Sequence, residues 1–489
     1  EGNVVEIRHP VIQTAGPNFG QASFELRTWN SAAQLLTETE GEGHVKAYTY
    51  FPHAGTPNDP ADLEGYLQSE IVDQGGFNLT TIYGRTVRGV PNSITDPRGR
   101  TSTRYVNELD QVLRATSRPI EKPAGGTYTG FSDNFFNAND DLFQTQVQNL
   151  KEDGLDYPHA VITNTFELDI LHNRVADNLD KSSNDNSITG AVRTEYLFDP
   201  NVNNVAVRHP MAVSGAQPTN IDTVLFDERD LPYKDTRGDN DTNPSNSPPA
   251  NAPHVVTNYD PNEYTLEIID AVRNAVRAGA PVTLFPGSGA GDVTRITRDG
   301  FDREIGRLDG EGSLAEKAWD RASNLIQEKL TGPVDHTVGA QVRLLAQTDF
   351  IRDERNRLVS RDRAHFVTET GGPIGDGLSV HVMAYDKDNK PTGETDDRGS
   401  LFQTFWDSAD RKHKTIDPLL NESEWVWDAN SNPIQVIRRD VSSVGSPVAT
   451  FVQSNTFDGE DTLIQTISAA SDIADFVHDF RRNLVRTSD

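Results

Sequence analysis

The sequence predicts a β-rich α+β protein with two domains, antiparallel hairpins, packed amphipathic helices and a long helix at its C-terminal end. Three observations support this fold class. Apolar and polar residues alternate in runs that end in turn-forming segments, stripes of apolar residues at helical spacing follow capping residues, and a Pro/Asn-rich break divides the chain. With 489 residues, the chain also exceeds the size at which one core stops growing.

Residues 1–234 are predicted to form the N-terminal domain. Val45 to Phe51, Ala160 to Thr163 and Thr223 to Phe226 are rich in β-branched and aromatic residues, which is typical of strands. Helices are predicted from Tyr105 to Ala115 and from Asp141 to Lys151. The domain is therefore expected to mix both kinds of element.

Residues 235–255 are predicted to be an interdomain linker or a long loop. The stretch DTRGDNDTNPSNSPPANAP, residues 235–253, is almost devoid of apolar side chains and is dense in Pro, Asn, Ser and Asp. Such a composition cannot bury a face against a core. We expect a domain boundary here.

Residues 256–461 are predicted to form a C-terminal β-rich domain that also contains two helices. Capping residues and apolar stripes predict these helices from Asp260 to Gly279 and from Ser313 to Leu330. Hairpins are predicted where Leu378 to Tyr385 runs into the turn-rich residues 386–389 and where Trp425 to Trp427 returns as Ile434 to Ile437. Val448 to Val452 adds a further strand.

Residues 462–489 are predicted to form an amphipathic helix or stalk. Apolar residues recur at steps of three, four or seven from Leu463 through Ile467 and Ala474 to Leu484, with charged residues between them. The helix either packs on its own domain or forms a seam between protomers, which would make the protein a homo-oligomer.

The charge balance indicates a protein that works in concentrated salt. Seventy-four acidic residues stand against forty-five basic ones, giving a net charge of −29, and there is no cysteine. At about 1 M salt the Debye length falls to roughly 3 Å, which screens such an excess. The alternative is an acidic protein from an ordinary environment. The charge disfavours nucleic acid as a partner, and the missing cysteines exclude disulfides and thiolate chemistry.

Acidic clusters offer weak candidates for cation binding. Asp386, Asp388 and Glu394 resemble part of a calcium loop, although Lys387 and Lys390 interrupt it. A second oxygen-rich group consists of Asp235, Asp239 and Asp241. Carboxylates meet by chance in so acidic a chain, so no cofactor is expected beyond salt and a possible bound cation.

One aromatic segment is a candidate for contact with a membrane. Residues 125–136, GGTYTGFSDNFF, combine glycines with Tyr128, Phe131, Phe135 and Phe136, and they have neither helical nor strand periodicity. Aromatic side chains on a loop suit insertion into a lipid interface or a partner groove. The alternative is that these rings close the loop onto the domain.

Asn78, Asn240 and Asn421 fit the N-glycosylation pattern. The chain starts at Glu1, which fits removal of a secretory signal as well as a simple boundary. Both observations favour an extracellular protein. The sequence has no run of 18 apolar residues that would span a bilayer.

No catalytic motif is present, and a glycoside hydrolase is the enzyme class hardest to exclude. Its paired carboxylates meet in space and not in sequence. A sugar cleft could be lined by Trp406 near Asp407 and by Trp425 and Trp427 near Glu424 and Asp428. Strand core is the simpler interpretation of these aromatics.

In layout, the chain resembles the spike proteins of haloarchaeal pleomorphic viruses. The resemblance depends on RHPVIQTAGPN at residues 8–18, DTNPSNSPPANAP at 241–253 and LIQTISAASDIADFVHDFRRNLV at 463–485. It implies an elongated two-domain ectodomain of an envelope glycoprotein on the virion surface, with a C-terminal transmembrane anchor beyond residue 489. Its partners would be a host cell-surface protein or glycan and a lipid membrane, which it would fuse. No catalytic residue is implied.

Two alternatives remain open at this stage. One is a secreted haloarchaeal hydrolase that acts on a polysaccharide. The other is a structural protein of a virion or cell surface that has no fusion activity.

Overall fold

A computed structural model describes residues 2–52, 63–180, 191–239, 242, 253–269, 293–310, 312–334, 341–441 and 449–488. Strands account for nearly all of its regular structure, and the one α-helix in the described residues, α1, covers only Pro210–Val213. The first twelve strands are β1 Glu6–Arg8, β2 Phe24–Trp29, β3 Leu35–Thr39, β4 Val45–Tyr50, β5 Leu67–Val72, β6 Leu79–Arg85, β7 Pro91–Thr95, β8 Thr101–Val106, β9 Val112–Thr116, β10 Ile120–Glu121, β11 Thr127–Tyr128 and β12 Phe131–Phe136.

The next thirteen strands cover the middle of the chain. They are β13 Leu142–Leu150, β14 Asp156–Leu168, β15 Arg174–Asp180, β16 Ala191–Phe198, β17 Asn204–Arg208, β18 Ile221–Phe226, β19 Pro232–Asp239, β20 His254–Tyr259, β21 Thr265–Ile269, β22 Val293–Arg298, β23 Glu304–Leu308, β24 Leu314–Trp319 and β25 Leu325–Pro333.

The last twelve strands complete the described chain. They are β26 Val342–Arg352, β27 Leu358–Phe366, β28 Pro373–Tyr385, β29 Pro391–Thr395, β30 Leu401–Trp406, β31 Lys412–Ile416, β32 Glu422–Trp427, β33 Pro433–Asp440, β34 Ala449–Phe457, β35 Leu463–Ile467, β36 Ile473–His478 and β37 Leu484–Ser488.

These strands form one continuous antiparallel meander. Each strand pairs with the next along the chain, for example β5 with β6 and β33 with β34. The exception is a small separate hairpin, β10 with β11, which is inserted between the paired strands β9 and β12. The main sheet therefore contains 35 strands.

A five-residue Asp turn recurs between the strands. In the turn that starts at Asp407, the backbone N–H of Asp407 donates to the carbonyl of Arg411, and the N–H of Asp410 donates to the carbonyl of Asp407. Oδ1 of Asp407 accepts the N–H groups of Ala409 and Arg411, and the fourth residue, Asp410, has φ 65°. This is a type I turn followed by a left-handed residue that forms a bulge.

The same turn explains why so much of the chain forms hairpins. Asp386, Asp407 and Asp428 start such turns 21 residues apart, and Asp396 and Asp417 start the turns between them. The carboxylate satisfies two backbone donors that the turn would otherwise leave unpaired, which favours Asp at this position. Asn107 and Asn137 start equivalent turns with an amide oxygen.

The predicted packed helices are wrong. Residues 105–115 form the ends of β8 and β9 with a turn between them, residues 141–151 contain β13, and residues 313–330 form β24, a turn and most of β25. Residues 260–269 form a turn and β21, whereas the rest of that predicted helix lies outside the described residues. A spacing of four, as from Leu314 to Ala318, places two side chains on one face of a strand as well as of a helix.

The predicted C-terminal helix is also wrong, because residues 462–486 contain β35, β36 and most of β37. Leu463 and Ile467 lie on one strand and Ile473 and Val477 on another, and each pair is again spaced by four. Ser468 and Ser471 occupy the first and fourth positions of the turn between β35 and β36. A homo-oligomer formed through a helix here therefore loses its structural basis.

The antiparallel hairpins predicted at residues 378–389 and 425–437 are confirmed, as are the strands predicted at 45–51, 160–163 and 223–226. Residues 235–239 belong to β19 and residues 254–255 to β20, and these strands pair with each other. The division of the chain into domains stays a prediction.

Little of the sheet is buried as a conventional core. Only thirteen hydrophobic side chains among the described residues are buried, and strands such as β3 and β35 are half-buried along their whole length. A sheet covered on one face would alternate buried and exposed residues. The sheet is therefore mainly a single layer, and both of its faces are partly exposed.

Candidate functional site

The sheet meets itself along one edge, and this seam is the most elaborate interaction site in the described residues. In an antiparallel meander, turns after odd-numbered strands lie at one edge and turns after even-numbered strands at the other. We call these the upper and lower edges. Upper turns near the start of the chain contact lower turns near its end, more than 330 residues away in sequence.

The first part of the seam joins the β1–β2 connection to the β26–β27 and β28–β29 turns. The Asn18 side chain donates to the Tyr385 carbonyl over 2.6 Å and accepts the Tyr385 N–H over 3.1 Å. Ser23 Oγ donates to the Lys387 carbonyl over 2.9 Å. Arg357 Nη2 donates to Gln21 Oε1 over 3.1 Å.

Arg357 also forms a buried ion pair that anchors this part of the seam. Its Nε lies 2.7 Å from Oδ2 of Asp353, and the two side chains are only 6% and 0% exposed. Nη1 of Arg357 donates to the carbonyl of Asp386, the first residue of the next lower turn. The buried charged atoms of this pair therefore all have hydrogen-bond partners, and a buried ion pair needs such partners to offset its loss of hydration.

The second part of the seam is a charged network around Arg98 and Arg118. Arg118 Nη1 lies 2.7 Å from Asp96 Oδ2, and its Nη2 lies 2.8 Å from Asp461 Oδ2. Arg98 Nη2 donates to Asp461 Oδ1 over 2.8 Å, and Asn430 Nδ2 donates to Asp96 Oδ2 over 2.7 Å. The network thus joins upper turns near residues 96–118 to lower turns near 428–461.

The electrostatics of this network favour charged carboxylates. Burial raises the pKa of Asp96, but hydrogen bonds from Asn430, the Arg100 backbone and Arg118 outweigh it, so the pKa lies below its ordinary value. The pKa of Asp461 is also lowered, because hydrogen bonds from Asn432, Asn430 and Arg118 outweigh its burial. Both carboxylates therefore stay charged in neutral solution.

Gly459 marks the closest approach of the two edges. A Cβ at this position would lie 1.6 Å from the carbonyl oxygen of Pro119. Gly300 occupies the same position in the Asp299 turn, and a Cβ there would meet no atom within 4 Å. Glycine is thus required at residue 459 because of the seam and not because of the turn.

The positions of these contacts give the geometry of the whole sheet. The β5–β6 turn contacts the β30–β31 turn through Asp73 and Ser408, and the β7–β8 turn contacts the β32–β33 turn through Arg98 and Asp428. Each offset is 25 strands in chain order, or 23 after β10 and β11 are left out. Each contact joins an upper turn to a lower turn, so the sheet is a spiral whose second revolution rests on its first.

For a circular section, the spiral would enclose an open interior. Some upper turns also contact the next lower turn along the chain, and these contacts join turns that are 25 strands of the main sheet apart. The contact between Asn18 and Tyr385 is an example. About 24 strands spaced by about 4.8 Å give a circumference of about 115 Å and, for a circular section, a diameter of about 37 Å. The side chains of the wall reduce the free width to roughly 25 Å.

Two of the cavities that lie beside the seam contain residues considered in the sequence analysis. One, of about 400 Å³, lies between the β10–β11 hairpin and the last strands and is lined by apolar residues such as Ile120 and Phe476 together with Arg482. The other, of about 660 Å³, is lined by residues of β28 to β30 and by His44 from the first revolution. Both are built from residues of the two revolutions.

The aromatic candidates for membrane contact lie in strands and not on a loop. Phe131, Phe135 and Phe136 belong to β12 and are half-buried, and the Arg114 guanidinium lies 4.0 Å from the centre of the Phe131 ring. Tyr128 belongs to β11 and lines the smaller cavity. Burial, together with Asp458 and Asp479, raises the pKa of Tyr128 to about 12. Their role in membrane contact stays a prediction.

The structure separates the members of the proposed calcium-like loop. Oδ1 of Asp386 accepts the backbone N–H groups of Asp388 and Lys390, so this carboxylate organises the turn. Glu394 lies on β29, where its Oε1 is 2.9 Å from Nδ1 of His381. Only Asp388 of these three belongs to a group of ligand atoms that lie within 4.8 Å of one another in the described residues.

The second oxygen-rich group is described only in part. Asp235 is exposed on β19, and Asp239 is buried on the same strand, where its Oδ2 accepts the hydroxyl of Thr223 over 2.8 Å. Asp241 lies outside the described residues. Cation binding by this group stays a prediction.

Two of the three glycosylation candidates are described, and both take part in turns. The Asn78 side chain accepts the N–H of Gly75 and donates to the carbonyl of Gly76. The Asn421 side chain donates to Asp417 Oδ2 and accepts the N–H of Val441. Asn240 lies outside the described residues.

The residues suggested for a sugar cleft have structural partners. Trp427 Nε1 donates to the carbonyl of Lys412, Asp428 starts a turn, and Glu424 Oε2 lies 2.7 Å from Arg439 Nη1. The seam residues Arg98, Arg118 and Asn430 were not among the sequence candidates. The 21-residue recurrence of an aromatic residue followed by Asp, as in Trp406-Asp407 and Trp427-Asp428, was the signal that could have revealed the repeat.

Comparisons with known proteins give no family. No protein-family model matches the chain, and no curated protein matches it. Among solved structures, the crystal structure of TcdB2-TccC3 aligns over 99% of this chain and 32% of its own, at 10% identity and a TM-score of 0.26. A Photorhabdus luminescens Tc holotoxin pore aligns over 99% and 34%, at 9% identity and a TM-score of 0.24. The chain spans about a third of the length of these chains.

Proposed function

We propose that the protein is a structural component of a virion or cell surface, whose body is a spiral β-wall around an open interior. The observation that carries this proposal is the seam, because its contacts hold two revolutions of a single-layer sheet together. Carboxylates that could serve as acids or bases in an enzyme, such as Asp407 and Asp428, instead accept backbone N–H groups within turns. The acidic exterior would keep such a wall soluble in salt.

Single-particle electron cryomicroscopy of the full chain tests the wall directly. Projections along the spiral axis are expected to show a ring of density with a low-density centre. Side views should show a second tier over about half of the ring, because 35 strands at about 24 per revolution make about one and a half revolutions. A particle with a filled centre would contradict the proposal. Release of reducing ends from a panel of polysaccharides would instead favour the secreted hydrolase.

Attachment to a membrane is a second candidate function, and a row of apolar turn tips favours it. Leu109, Ile170 and Phe301 lie in turns after β8, β14 and β22, all at the lower edge of the first revolution, and they are 63%, 94% and 81% exposed. Val87 and Val202 are exposed in two further turns of the same edge. Apolar tips along one rim would enter a lipid interface together, as the attachment hypothesis requires.

Vesicle flotation in concentrated salt tests this second function. The wild-type chain is expected to float with liposomes, and a double variant with Ile170→Ser and Phe301→Ser is expected to lose most of the bound fraction. The control carries Leu419→Ser and Leu420→Ser, which change two exposed apolar residues of one turn at the upper edge, where they are 65% and 63% exposed. Equal flotation of the rim variant and the control would refute attachment by this rim. The spike hypothesis would further require lipid mixing, with Phe135→Ser and Phe136→Ser as its own test.

A further inference from the structure

Three possible metal ligands from both revolutions meet at the seam. Glu40 and His44 stand at the two ends of the β3–β4 turn, and Asp388 stands at the tip of the β28–β29 turn. One ligand atom from each lies within 4.8 Å of the other two. The backbone holds this arrangement, because the Glu40 N–H donates to the His44 carbonyl over 2.9 Å and the Glu42 N–H donates to Asp388 Oδ2 over 3.2 Å.

The imidazole of His44 is the second observation that indicates a ligand. Its Nδ1 is buried from solvent and has no hydrogen-bond partner among the described residues. Other histidines on this sheet, such as His159 and His381, have a ring nitrogen within 2.9 Å of a carboxylate. Leaving a buried polar atom without a partner destabilises the folded chain, and a coordinate bond from this nitrogen to a metal ion would remove that cost.

The local charge also favours a cation. Five carboxylates lie on the turns that meet at this part of the seam, and Lys46, Lys390 and Arg357 accompany them. Lys46 Nζ lies 2.5 Å from Glu40 Oε1 and 3.9 Å from Asp410 Oδ2, and Lys390 Nζ contacts Asp410 and lies 3.9 Å from Asp388 Oδ2. Asp410 can thus pair with both lysines when Glu40 and Asp388 bind a metal ion. The carboxylates are Glu40, Glu42, Asp386, Asp388 and Asp410.

We propose that Glu40, His44 and Asp388 bind one Zn²⁺ ion that joins the two revolutions of the spiral. An imidazole nitrogen with two carboxylate oxygens suits Zn²⁺, and three protein ligands leave one tetrahedral position for water. Calcium prefers six to eight oxygen ligands and does not suit an imidazole nitrogen. The ion would bind only the closed seam, so zinc would stabilise closure by mass action. The proposal depends on the spiral and not on the proposed function.

Isothermal titration of the full chain, freed of metal with a chelator and titrated with ZnCl₂ in excess Ca²⁺, tests the site. The calcium occupies scattered surface carboxylates. One zinc ion per chain is expected, with binding at least about tenfold weaker in His44→Gln and in Asp388→Asn. His413→Gln is the matched control, because His413 lines the same cavity outside the three-residue group. Absence of stoichiometric binding, or equal affinity in His44→Gln and His413→Gln, would overturn the proposal.

A measurement on the wild-type chain keeps the proposal testable if a variant fails to fold. X-ray absorption at the zinc edge is expected to show one imidazole among oxygen ligands. Hydrogen exchange is expected to slow on zinc addition in residues 40–44 and 386–390 together. A spectrum without imidazole, or protection confined to one of the two turns, would contradict a zinc ion that joins the revolutions.

Discussion

Replacing Arg118 with Ala should open the seam without unfolding the sheet. The substitution removes two charge-assisted hydrogen bonds, to Asp96 and Asp461, and a 3.6 Å contact with Glu460. Such bonds contribute about 1.5–3 kcal/mol each, and the 18% exposure of the side chain reduces that figure. The three carboxylates left behind also repel one another. We expect a loss of about 2–4 kcal/mol in the free energy of seam opening.

Hydrogen exchange with mass-spectrometric detection measures this loss, because the seam can open while the hairpins persist. Amides at residues 96–100, 117–121 and 458–462 should exchange about 30 to 700 times faster in the variant. Arg229→Ala is the control, since Arg229 pairs with Asp227 inside one turn at the lower edge and is outside the seam. Arg229→Ala should leave exchange at the seam amides nearly unchanged, because exposed ion pairs contribute little to stability. Unchanged exchange in Arg118→Ala, or equal effects of both variants, would refute the closure argument.

Three further predictions test other parts of the account. Gly459→Val should lower the thermal midpoint of seam opening and speed hydrogen exchange at residues 117–121, because the valine side chain would meet the Pro119 carbonyl. Gly300→Val, at the same position of another turn, should change neither. Similar effects of both variants would contradict the close approach of the two edges at Gly459. Asp169→Ala should lower the urea concentration at the unfolding midpoint, because two backbone N–H groups lose their acceptor. Asp169→Asn should recover most of this loss, since Asn107 serves the same role in its own turn; equal loss in both variants would argue against the turn role. The pKa values of Asp96 and Asp461 are lowered in the folded chain. The stability that these carboxylates give the seam is therefore complete above about pH 4, the pKa of an unfolded Asp, and is lost as the pH falls through the lower folded values. Hydrogen exchange at the seam that is equally slow at pH 3 and pH 6, after correction for intrinsic rates, would contradict this.

The hairpins could be predicted from sequence because their signals are local. Trp425 to Trp427 alternates, ends at an Asp turn and returns, so the strand pairing follows from adjacent residues. The helices were predicted wrongly because a spacing of four residues suits both a helix face and a strand face. Ser313, which resembled the cap of a helix, is instead the last residue of the turn that starts at Asp309. The recurrence of Asp at intervals of 21 residues would have distinguished strands joined by Asp turns from helices.

The candidate site could not be predicted in the same way. Arg118 and Asp461 are 343 residues apart in sequence, and nothing local to either residue indicates a partner. The seam depends on how many strands complete one revolution, which is a property of the sheet's curvature and not of any segment. The acidic composition also concealed the roles of individual carboxylates. Asp407 and Asp428 organise turns, and Asp96 and Asp461 bind arginines across the seam.

Chemical cross-linking tests the spiral most directly, because the chain has no cysteine of its own. Thr14 and Glu354 lie at facing turns of the two revolutions, where Thr14 Oγ1 donates to Glu354 Oε1 over 3.1 Å. A chain with Thr14→Cys and Glu354→Cys should cross-link internally with a short bifunctional thiol reagent in native solution and lose this reactivity in urea. A control with Thr14→Cys and Glu228→Cys, in a turn outside the seam, should not cross-link. Equal cross-linking of the two pairs, or none in the first, would contradict the closed spiral.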